Sequence, residues 1–227
     1  IKKWCVEKGL WLFEDCAHAH GSALDGKCAG TFGIAGGYSF FATKVITAGE
    51  GGMIVTNNSN FADKARLLRN HGKPKPWVSY YTHIGSNWRM SEINAVIGLA
   101  HLKRLDRFIK YREKIALIYT KYLKETSEVK VILPISRSSW YKYIVVLPKS
   151  INREALKGSL RKRGINLAGE VYEAPLHLQP IFRNYPNERF PMAEDICSRH
   201  ICLPIYYGMT EKEAKFVVNN LLALANL

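Results

Sequence analysis

The chain has 227 residues, of which 47% are hydrophobic and 23% charged, a composition typical of a globular protein with its own core and not of a disordered one. At about 150 residues per domain, this length predicts one large domain or two modest ones. Basic side chains exceed acidic ones by 33 to 19, so the formal net charge is +14.

The basic residues are spread evenly along the chain. Residues 1–110 carry 15 basic and 8 acidic side chains and residues 111–227 carry 18 and 11, so each half has a charge of +7. This even spread argues against a dedicated basic arm, and no nucleic-acid motif is recognised, so we expect no nucleic-acid partner. A basic cleft would also suit the nucleotide part of a small substrate.

The sequence gives no sign of a membrane or an oxidising compartment. No apolar run approaches the roughly 20 residues that a membrane helix requires, and no signal peptide or lipidation motif is recognised. The five cysteines are an odd number without a C-x-x-C pair, which predicts neither a disulfide framework nor a zinc site. We therefore expect a cytoplasmic protein with reduced thiols and no membrane partner.

The first part of the chain predicts a helix followed by three strands. Residues 1–9 have a helical pattern that a glycine ends, and the apolar run at residues 10–13 predicts a buried parallel strand. After a glycine-rich loop, residues 38–41 and 53–56 predict the second and third strands.

Two helical patterns come next. Residues 57–60 offer a cap for a helix that extends to about Asn70, and the glycine and prolines at residues 72–76 break it. Ser91 then caps a long helical pattern that continues to Tyr122 and is expected to bend on the way.

The sequence pattern changes after Pro134 and predicts a second, smaller α/β unit. Residues 140–147 predict a strand and residues 152–163 a helix. A loop-rich stretch with several prolines follows, and a capped final helix runs from Thr210 to about Leu224.

Lys44 and Asp15 are the first candidates for chemistry. Lys44 follows a predicted strand among aromatic and small residues, and a lysine held in a dry pocket loses basicity and becomes a nucleophile for Schiff-base formation. Asp15 stands at the end of the first apolar strand, where open α/β sheets bind ligands. A buried carboxylate needs a cationic partner, and the pyridinium nitrogen of pyridoxal phosphate is one candidate. The alternatives are an exposed loop lysine for Lys44 and, for Asp15, a carboxylate that caps a helix or accepts locally in a turn.

Three further features lie near these two residues. His18 could stack on or hydrogen-bond a cofactor ring, or be structural. Ser39 could bind a phosphate through its hydroxyl, or satisfy a neighbouring strand. The glycine-rich residues 49–52 lack the spacing of the known nucleotide loops, which favours close approach of the backbone to a cofactor or another strand.

Several motifs together resemble the DegT/DnrJ/StrS family of pyridoxal-phosphate-dependent sugar aminotransferases of fold type I. The motifs that carry this resemblance are EDCAHAHG at 14–21, SFFATK at 39–44, TAGEGGM at 47–53, RNHG at 69–72, GSNWRMSE at 85–92 and PLHLQP at 175–180.

The resemblance assigns roles to the cofactor residues. Lys44 matches the lysine that bonds to the cofactor and later moves the proton, and Asp15 matches the carboxylate paired with the pyridine nitrogen. His18 matches a position against the cofactor ring, and Ser39 matches a hydroxyl on the cofactor phosphate. Some members replace the lysine with histidine and act as dehydratases, so Lys44 favours transamination.

The resemblance also implies partners. Asn87 matches an asparagine that reaches the phosphate from the neighbouring subunit, which implies a homodimer with the site at its interface. His177 matches a position near the sugar substrate. The implied substrates are a nucleotide-linked deoxysugar with a keto group and an amino-acid donor, expected to be glutamate, in the synthesis of cell-surface polysaccharide or related sugars.

Family members have a sizeable segment before the position that matches Ile1. The resemblance therefore implies the C-terminal half of a mainly parallel large-domain sheet with flanking helices, plus a smaller C-terminal α/β domain. We expect residues 1–125 to form the large-domain part with its linking helix and residues 126–227 the small domain. We also expect exposed apolar side chains on the sheet, and the alternative function is a non-catalytic fragment, or half of a split enzyme that needs a partner chain to bind the cofactor.

Overall fold

The computed structural model describes residues 1–126, 128–184 and 188–226. The chain forms two compact units, the first from Ile1–Ile109 and Ile135–Tyr141 and the second from Lys110–Pro134 and Lys142–Leu227. Within the described residues, no helix has both the length and the apolar character that a membrane crossing requires. The domain boundary at residues 125 and 126 remains a prediction.

The first unit contains five strands, three complete helices, of which the first is short, and the start of a long fourth helix. These elements are α1 (Lys2–Glu7), β1 (Phe13–Asp15), β2 (Ala23–Leu24), β3 (Lys27–Cys28), β4 (Ala35–Ser39), β5 (Gly52–Val55), α2 (Ser59–Arg69), α3 (Glu92–Leu102) and α4 (Leu105–Leu123).

A three-stranded sheet in the order β1-β4-β5 organises this unit. Strand β1 pairs with β4 in parallel, with Asp15 opposite Gly37, and β4 pairs with β5 antiparallel, with Ser39 opposite Gly52. The carboxyl ends of β1 and β4 therefore lie at the same edge as the start of β5. The α/β class is confirmed, and the described sheet has one parallel and one antiparallel pairing.

The first two strands begin three residues away from their predicted starts, the first later and the second earlier. The prediction of a strand at 10–13 was wrong in position, because Leu10 donates its backbone N–H to the carbonyl of Cys5 at 2.8 Å and so completes the end of α1. Gly9 allows this ending through its φ of +63°. The second strand was predicted at residues 38–41 but ends at Ser39. The third strand begins at Gly52, which pairs with Ser39.

Apolar side chains are exposed along this sheet, as expected from the resemblance. Trp11 is 76% exposed, Phe13 52% and Ile54 55%. The strand at residues 10–13 was also predicted to be covered on both faces. Because Trp11 and Phe13 are exposed in the described chain, that prediction is wrong.

The carboxylate of Glu14 holds the glycine-rich segment that leads into β4. It accepts backbone N–H groups from Gly30 and Phe32 at 2.6 Å each and from Gly33 at 2.7 Å. Gly33 has no room for a side chain, since a Cβ there would lie 2.1 Å from the carbonyl oxygen of Leu12. A short hairpin of β2 and β3, which the sequence analysis missed, lies within the same loop.

The long helical pattern after Ser91 is two helices rather than one bent helix. Ser91 caps α3 by accepting the N–H of Asn94 at 3.2 Å, as predicted. The helix ends at Leu102 and α4 restarts at Leu105, so the predicted bend is a break. Helix α2 begins after Asn58, which lies within the predicted cap at residues 57–60.

The second unit is an antiparallel sheet packed with helices. Its remaining elements are β6 (Lys130–Val131), β7 (Tyr143–Val146), α5 (Arg153–Lys162), α6 (Pro191–Arg199), β8 (His200–Leu203) and α7 (Glu211–Ala225). The strands lie in the order β6-β7-β8. Tyr119 and Tyr143 lie in its core at 5.1 Å between ring centroids.

Two predictions for this unit were wrong in extent. The strand predicted at 140–147 begins only at Tyr143, and α6 lies in a stretch predicted to be loop-rich. Pro191 at the start of α6 is compatible with a helix, because the first turn does not use its missing N–H. Thr210 caps α7 and exchanges hydrogen bonds with Glu213. The prediction of a capped final helix is therefore confirmed.

We predict that Glu14→Gln destabilises the first unit. The amide would place a donor against N–H groups that are themselves donors, which should lower the free energy of unfolding by about 1–3 kcal/mol. Denaturant unfolding measures the change, with the exposed Glu7→Gln as the control. Equal free energies of unfolding for the two variants would contradict this role.

Candidate functional site

The sequence-predicted residues Asp15 and Ser39 lie at one edge of the sheet. Asp15 is the last residue of β1, and Ser39 is the last residue of its parallel neighbour β4, two positions beyond the Gly37 that pairs with Asp15. Ligands of open α/β sheets bind outside the carboxyl ends of the strands. The segment between β4 and β5, which contains Lys44, leaves from and returns to this edge.

Lys44 stands directly before a buried anchor. Val45 and Ile46 are buried and pack with Phe108 and Ile109 at the start of α4. The side chain of Lys44 is half-buried, and its Nζ lies 4.9 Å from the centroid of the Tyr141 ring. The backbone beside the amine is therefore fixed by packing, and the amine lies over an aromatic face.

Tyr141 connects two of the predicted residues. Besides the contact with Lys44, its ring lies 4.2 Å from the His18 ring between centroids, with an angle of 38° between the planes. Its hydroxyl is 3.1 Å from the Oγ1 of Thr43. The structure thus brings Lys44 and His18 together on one aromatic side chain.

The sequence analysis missed Tyr141 because it placed this residue inside a strand. The strand begins two residues later, and Ser139 holds the preceding backbone in the first unit. Its hydroxyl donates to the carbonyl of His18 at 2.6 Å, and its N–H donates to the Oγ of Ser22 at 2.9 Å. The aromatic run at residues 140–143 was a visible signal, but its contact partners lie about 100 residues away in the sequence.

Asp15 and Ser39 each make one local hydrogen bond. An exposed Asp15 accepts the N–H of Ala17 at 3.0 Å through Oδ1, which is the local turn considered as an alternative. Ser39 is half-buried, and its Oγ accepts the N–H of Phe41 at 3.3 Å. These bonds orient both side chains and leave Oδ2 of Asp15 and the Ser39 hydroxyl proton for a ligand.

Gly51 and Gly52 serve close packing, which is the use that the sequence favoured for residues 49–52. A Cβ at Gly51 would lie 2.5 Å from the sulfur of Met90, and a Cβ at Gly52 would lie 2.9 Å from the carbonyl oxygen of Tyr38. Gly51 also has a φ of +146°, which side-chain-bearing residues rarely adopt.

His20 is a second residue that the sequence analysis did not single out. It is 3% exposed and lies near the rings of Tyr38 and Phe40, at 5.3 and 5.9 Å between centroids. Burial lowers the pKa of its imidazole, and the positive charge of Lys44 lowers it further, while the backbone of Ser39 opposes the shift. Neither ring nitrogen reaches hydrogen-bond geometry with another described residue, and the lowered pKa favours the neutral form of the ring at neutral pH.

Asn87 lies apart from this contact network. It is exposed and forms an isolated antiparallel bridge with Asn70, the residue that caps the end of α2. Its neighbour Trp88 donates its N–H to the carbonyl of Arg69 at 3.0 Å. Among the described residues, this bridge connects Asn87 to the end of α2 and not to Lys44 or the sheet edge.

His177 belongs to the second unit and has its own local partners. Its Nε2 is 3.2 Å from Oε1 of Glu194, and its ring lies 4.9 Å from that of Phe190. Arg189 donates to the same carboxylate at 2.8 Å and, with smaller contributions from Phe190 and His177, holds the pKa of Glu194 at about 2. Glu194 is therefore anionic at neutral pH and orients the imidazole.

The edge of the sheet offers the donor set that pyridoxal phosphate requires. Lys44 supplies a primary amine, Asp15 a carboxylate and Ser39 a hydroxyl. The aromatic ring of Tyr141 adds a flat apolar face. In the described ranges, no group of three or more His, Cys, Asp and Glu residues is arranged to hold a metal ion. The residues present fit the organic cofactor.

Solved structures with the same architecture identify the class. A structure of PseC from Helicobacter pylori, an aminotransferase involved in the biosynthesis of pseudoaminic acid, matches with a TM-score of 0.91 and 28% identity, over 100% of this chain and 62% of that one. The fold is that of the fold type I pyridoxal-phosphate-dependent aminotransferases.

Sequence comparison identifies the family. Residues 1–222 match the DegT/DnrJ/EryC1/StrS aminotransferase family, and the chain belongs to it. Similar proteins include a pleiotropic regulatory protein from Geobacillus stearothermophilus, 37% identical over 94% of this chain and 58% of its own length. Another is the GDP-perosamine synthase of Vibrio cholerae, 33% identical over 96% of this chain and 60% of its own length. The chain thus spans about 60% of the length of these relatives.

We predict that the ring of Tyr141 restrains the amine of Lys44. Tyr141→Leu should increase the rate at which an acetylating reagent modifies Lys44 by about two- to five-fold, the loss expected for one exposed cation–π contact. Tyr141→Phe keeps the ring and should leave the rate near that of the unaltered chain. Mass spectrometry of the peptides measures both, with exposed Lys27 as internal reference. Equal rates for the Leu and Phe variants would contradict the role of the ring.

Proposed function

We propose that this chain carries the reactive-lysine part of a pyridoxal-phosphate-dependent sugar aminotransferase. The reaction would move an amino group from glutamate to the keto group of a nucleotide-linked deoxysugar, in the synthesis of cell-surface polysaccharide or related sugars. The observation that carries the proposal is the position of Lys44, which lies with His18 on the Tyr141 ring beside the edge where β1 and β4 end.

Each residue at the edge has a task that its chemistry supports. When bound, the cofactor supplies an electron sink for the carbon that loses a proton. Lys44 would attach to it and then move that proton through Nζ. Asp15 would accept the N–H of the protonated ring nitrogen and keep it charged, because an adjacent anion favours the protonated form. His18 would lie against the cofactor ring, and Ser39 would donate its hydroxyl to the phosphate.

The substrate side of the proposal rests on the relatives and on His177. The Vibrio cholerae relative is named for a GDP-linked sugar, and the PseC structure is described by its part in making pseudoaminic acid. We propose that the substrate of this chain is likewise a nucleotide-linked sugar. His177, oriented by Glu194, would contact its sugar part.

A homodimer would complete the cofactor site through Asn87. Its exposed position is compatible with a reach into a second copy, and α3, only a few residues away in the sequence, exposes Ile93 and Val96 at 75% and 67%. Exposed large apolar side chains on one helix favour a protein partner. The phosphate of the second copy's cofactor would accept from the Asn87 amide.

We predict that Lys44 is the residue that bonds to the cofactor. After incubation with pyridoxal phosphate and reduction with borohydride, peptide mapping should place the label on Lys44. Lys44→Arg should abolish it, because a guanidinium keeps the charge but does not form the bond. Lys27→Arg is the matched control and should retain it. A label on any other lysine of the unaltered chain would overturn the assignment.

A second candidate function is that of a half-enzyme that binds the cofactor only with a partner chain. The exposed Trp11, just before β1, and Phe13, at its start, favour a covering segment. In the same labelling assay, this candidate gives no label on the chain alone. Label should then appear on Lys44 after addition of the separately produced N-terminal segment of a longer relative, such as the Vibrio cholerae synthase. Label on the chain alone would exclude this candidate.

We predict that Asn87 acts across the interface between two copies. Lys44→Ala and Asn87→Ala should each bind pyridoxal phosphate poorly at low cofactor concentration. Mixed after unfolding and refolding together, they should recover about a quarter of the unaltered sites, because random pairing in a two-fold dimer gives mixed dimers with one intact site each. Borohydride labelling of the Asn87→Ala copy measures the recovery. An Asn87 that acts within its own chain would give no recovery on mixing.

A further inference from the structure

The loop that carries Lys44 is closed upon itself at its base. This lysine loop, residues 40–51, connects β4 to β5. The carbonyl of Phe40 accepts both the N–H of Ala48 and the hydroxyl of Thr47, at 2.9 Å each. These bonds join the two ends of the loop, so contacts with other elements must fix its position in the unit.

Helix α3 supplies such contacts from one of its faces. Asn94, Gly98 and His101 are separated by four and three positions, a spacing that places them on the same side of a helix. These three residues are called the α3 contact face. Each of them meets a different residue of the lysine loop.

Asn94 binds the end of the loop that leads into β5. Its Nδ2 donates to the carbonyl of Glu50 at 2.9 Å. Its Oδ1 accepts the hydroxyl of Ser91 at 2.6 Å, which orients the amide so that the nitrogen is directed to the loop. The serine that caps α3 therefore also orients the first member of the contact face.

Gly98 allows the helix and the loop to approach closely. A glycine in the interior of a helix lowers its stability relative to alanine, so its presence there calls for a reason. A Cβ at Gly98 would lie 3.4 Å from the Cβ of Ala48, which is buried. The helix backbone thus lies within one methyl group of the loop.

His101 accepts a backbone N–H three residues after Lys44. The N–H of Thr47 donates to Nδ1 of the imidazole at 3.3 Å. A ring nitrogen that accepts carries no proton, so the neutral ring holds its proton on Nε2. The ring also meets that of Phe108 edge-to-face, at 5.7 Å between centroids. The imidazole is therefore supported by packing while it binds the loop.

We propose that His101 is a positioning residue for Lys44. By accepting the N–H of Thr47, its imidazole fixes the backbone from which the lysine side chain extends, and Asn94 and Gly98 support the same loop. The proposal rests on the proposed function for the role of Lys44. Such support matters for a reacting amine, because a misplacement of about 1 Å can lower a rate by about a hundredfold.

The first test is amide hydrogen exchange of the chain without cofactor, measured by NMR. His101→Leu removes the acceptor and should raise the exchange rate of the Thr47 amide by about three- to tenfold. His101→Asn places an oxygen where Nδ1 was and should keep the rate within about twofold of the unaltered chain. Asparagine forms helices less readily than leucine, so helix stability would not explain this rescue. The amide of Leu67 in α2 is the internal reference and should not change.

The second test measures the reactivity of Lys44 itself. His101→Leu should raise the rate of acetylation of Lys44, relative to exposed Lys27, by about two- to fivefold, because the loop is less restrained. It should lower borohydride labelling of Lys44 at limiting pyridoxal phosphate by a similar factor. His101→Asn should restore both values. His83→Leu, the same change at an exposed histidine of this unit, is the matched control and should alter neither.

Several results would overturn the positioning role. Unchanged exchange of Thr47 in His101→Leu would exclude the bond, and equal exchange in the Leu and Asn variants would show that packing, not the acceptor, matters. Faster exchange of Leu67 as well would indicate a loss of global stability. Faster exchange of Thr47 with an unchanged acetylation rate of Lys44 would confine the effect to the loop base.

The same samples separate this proposal from the proposed function. If exchange and acetylation follow the expectation but no borohydride label falls on Lys44, the positioning of the loop is supported and the lysine assignment fails. If Lys44 is labelled equally in all variants, the positioning role fails and the proposed function is retained.

Discussion

Three backbone N–H groups converge on the carboxylate of Glu14, and the geometry of the site edge depends on them. Glu14 lies in β1, and the groups that it binds lie in the loop that leads into β4. By tying the entry of β4 to β1, this interaction supports the register in which Asp15 faces Gly37. The ends of the two strands, and with them Asp15 and Ser39, are thereby held at one level.

The second support for the site is apolar. Val45 and Ile46 are buried directly after Lys44 and pack on the start of α4, so the lysine sits on a backbone that packing fixes rather than on a mobile loop. Polar tethering on one side and burial on the other place the amine over Tyr141. Rigid support of this kind is what keeps reacting groups close to a productive geometry.

Local sequence signals predicted much of this arrangement. The caps at Asn58, Ser91 and Thr210 are correct, because a side-chain oxygen before a helical pattern satisfies N–H groups within three residues. The family motifs correctly led to the α/β fold. Strand positions were less predictable, since the end of α1 takes up Leu10 through a backbone bond that apolar patterning does not encode. The Asp25-Gly26 turn of the β2–β3 hairpin was a readable signal that was not used.

Long-range contacts account for most of what the sequence did not reveal. Tyr141 contacts Lys44 across about 100 residues of sequence and His18 across about 120, and no local pattern indicates which aromatic residue returns to the first unit. The position of charge in space is similar, because Arg66, Arg69 and Arg89 line one groove along α2, whereas the even distribution of charge along the chain indicated no such concentration. The predicted roles of Lys44, Asp15, His18, Ser39, Asn87 and His177 remain predictions for experiment.

The chain passes between the two units three times, and this has a practical consequence for dissecting the protein. Residues 135–141 return to the first unit between segments of the second, so the first unit is discontinuous in sequence. A truncation after residue 125 would remove Tyr141 and Ser139, and with them the ring over Lys44 and the hydroxyl on His18. An isolated version of the first unit would need residues 135–141 grafted back through an engineered linker or supplied as a separate peptide.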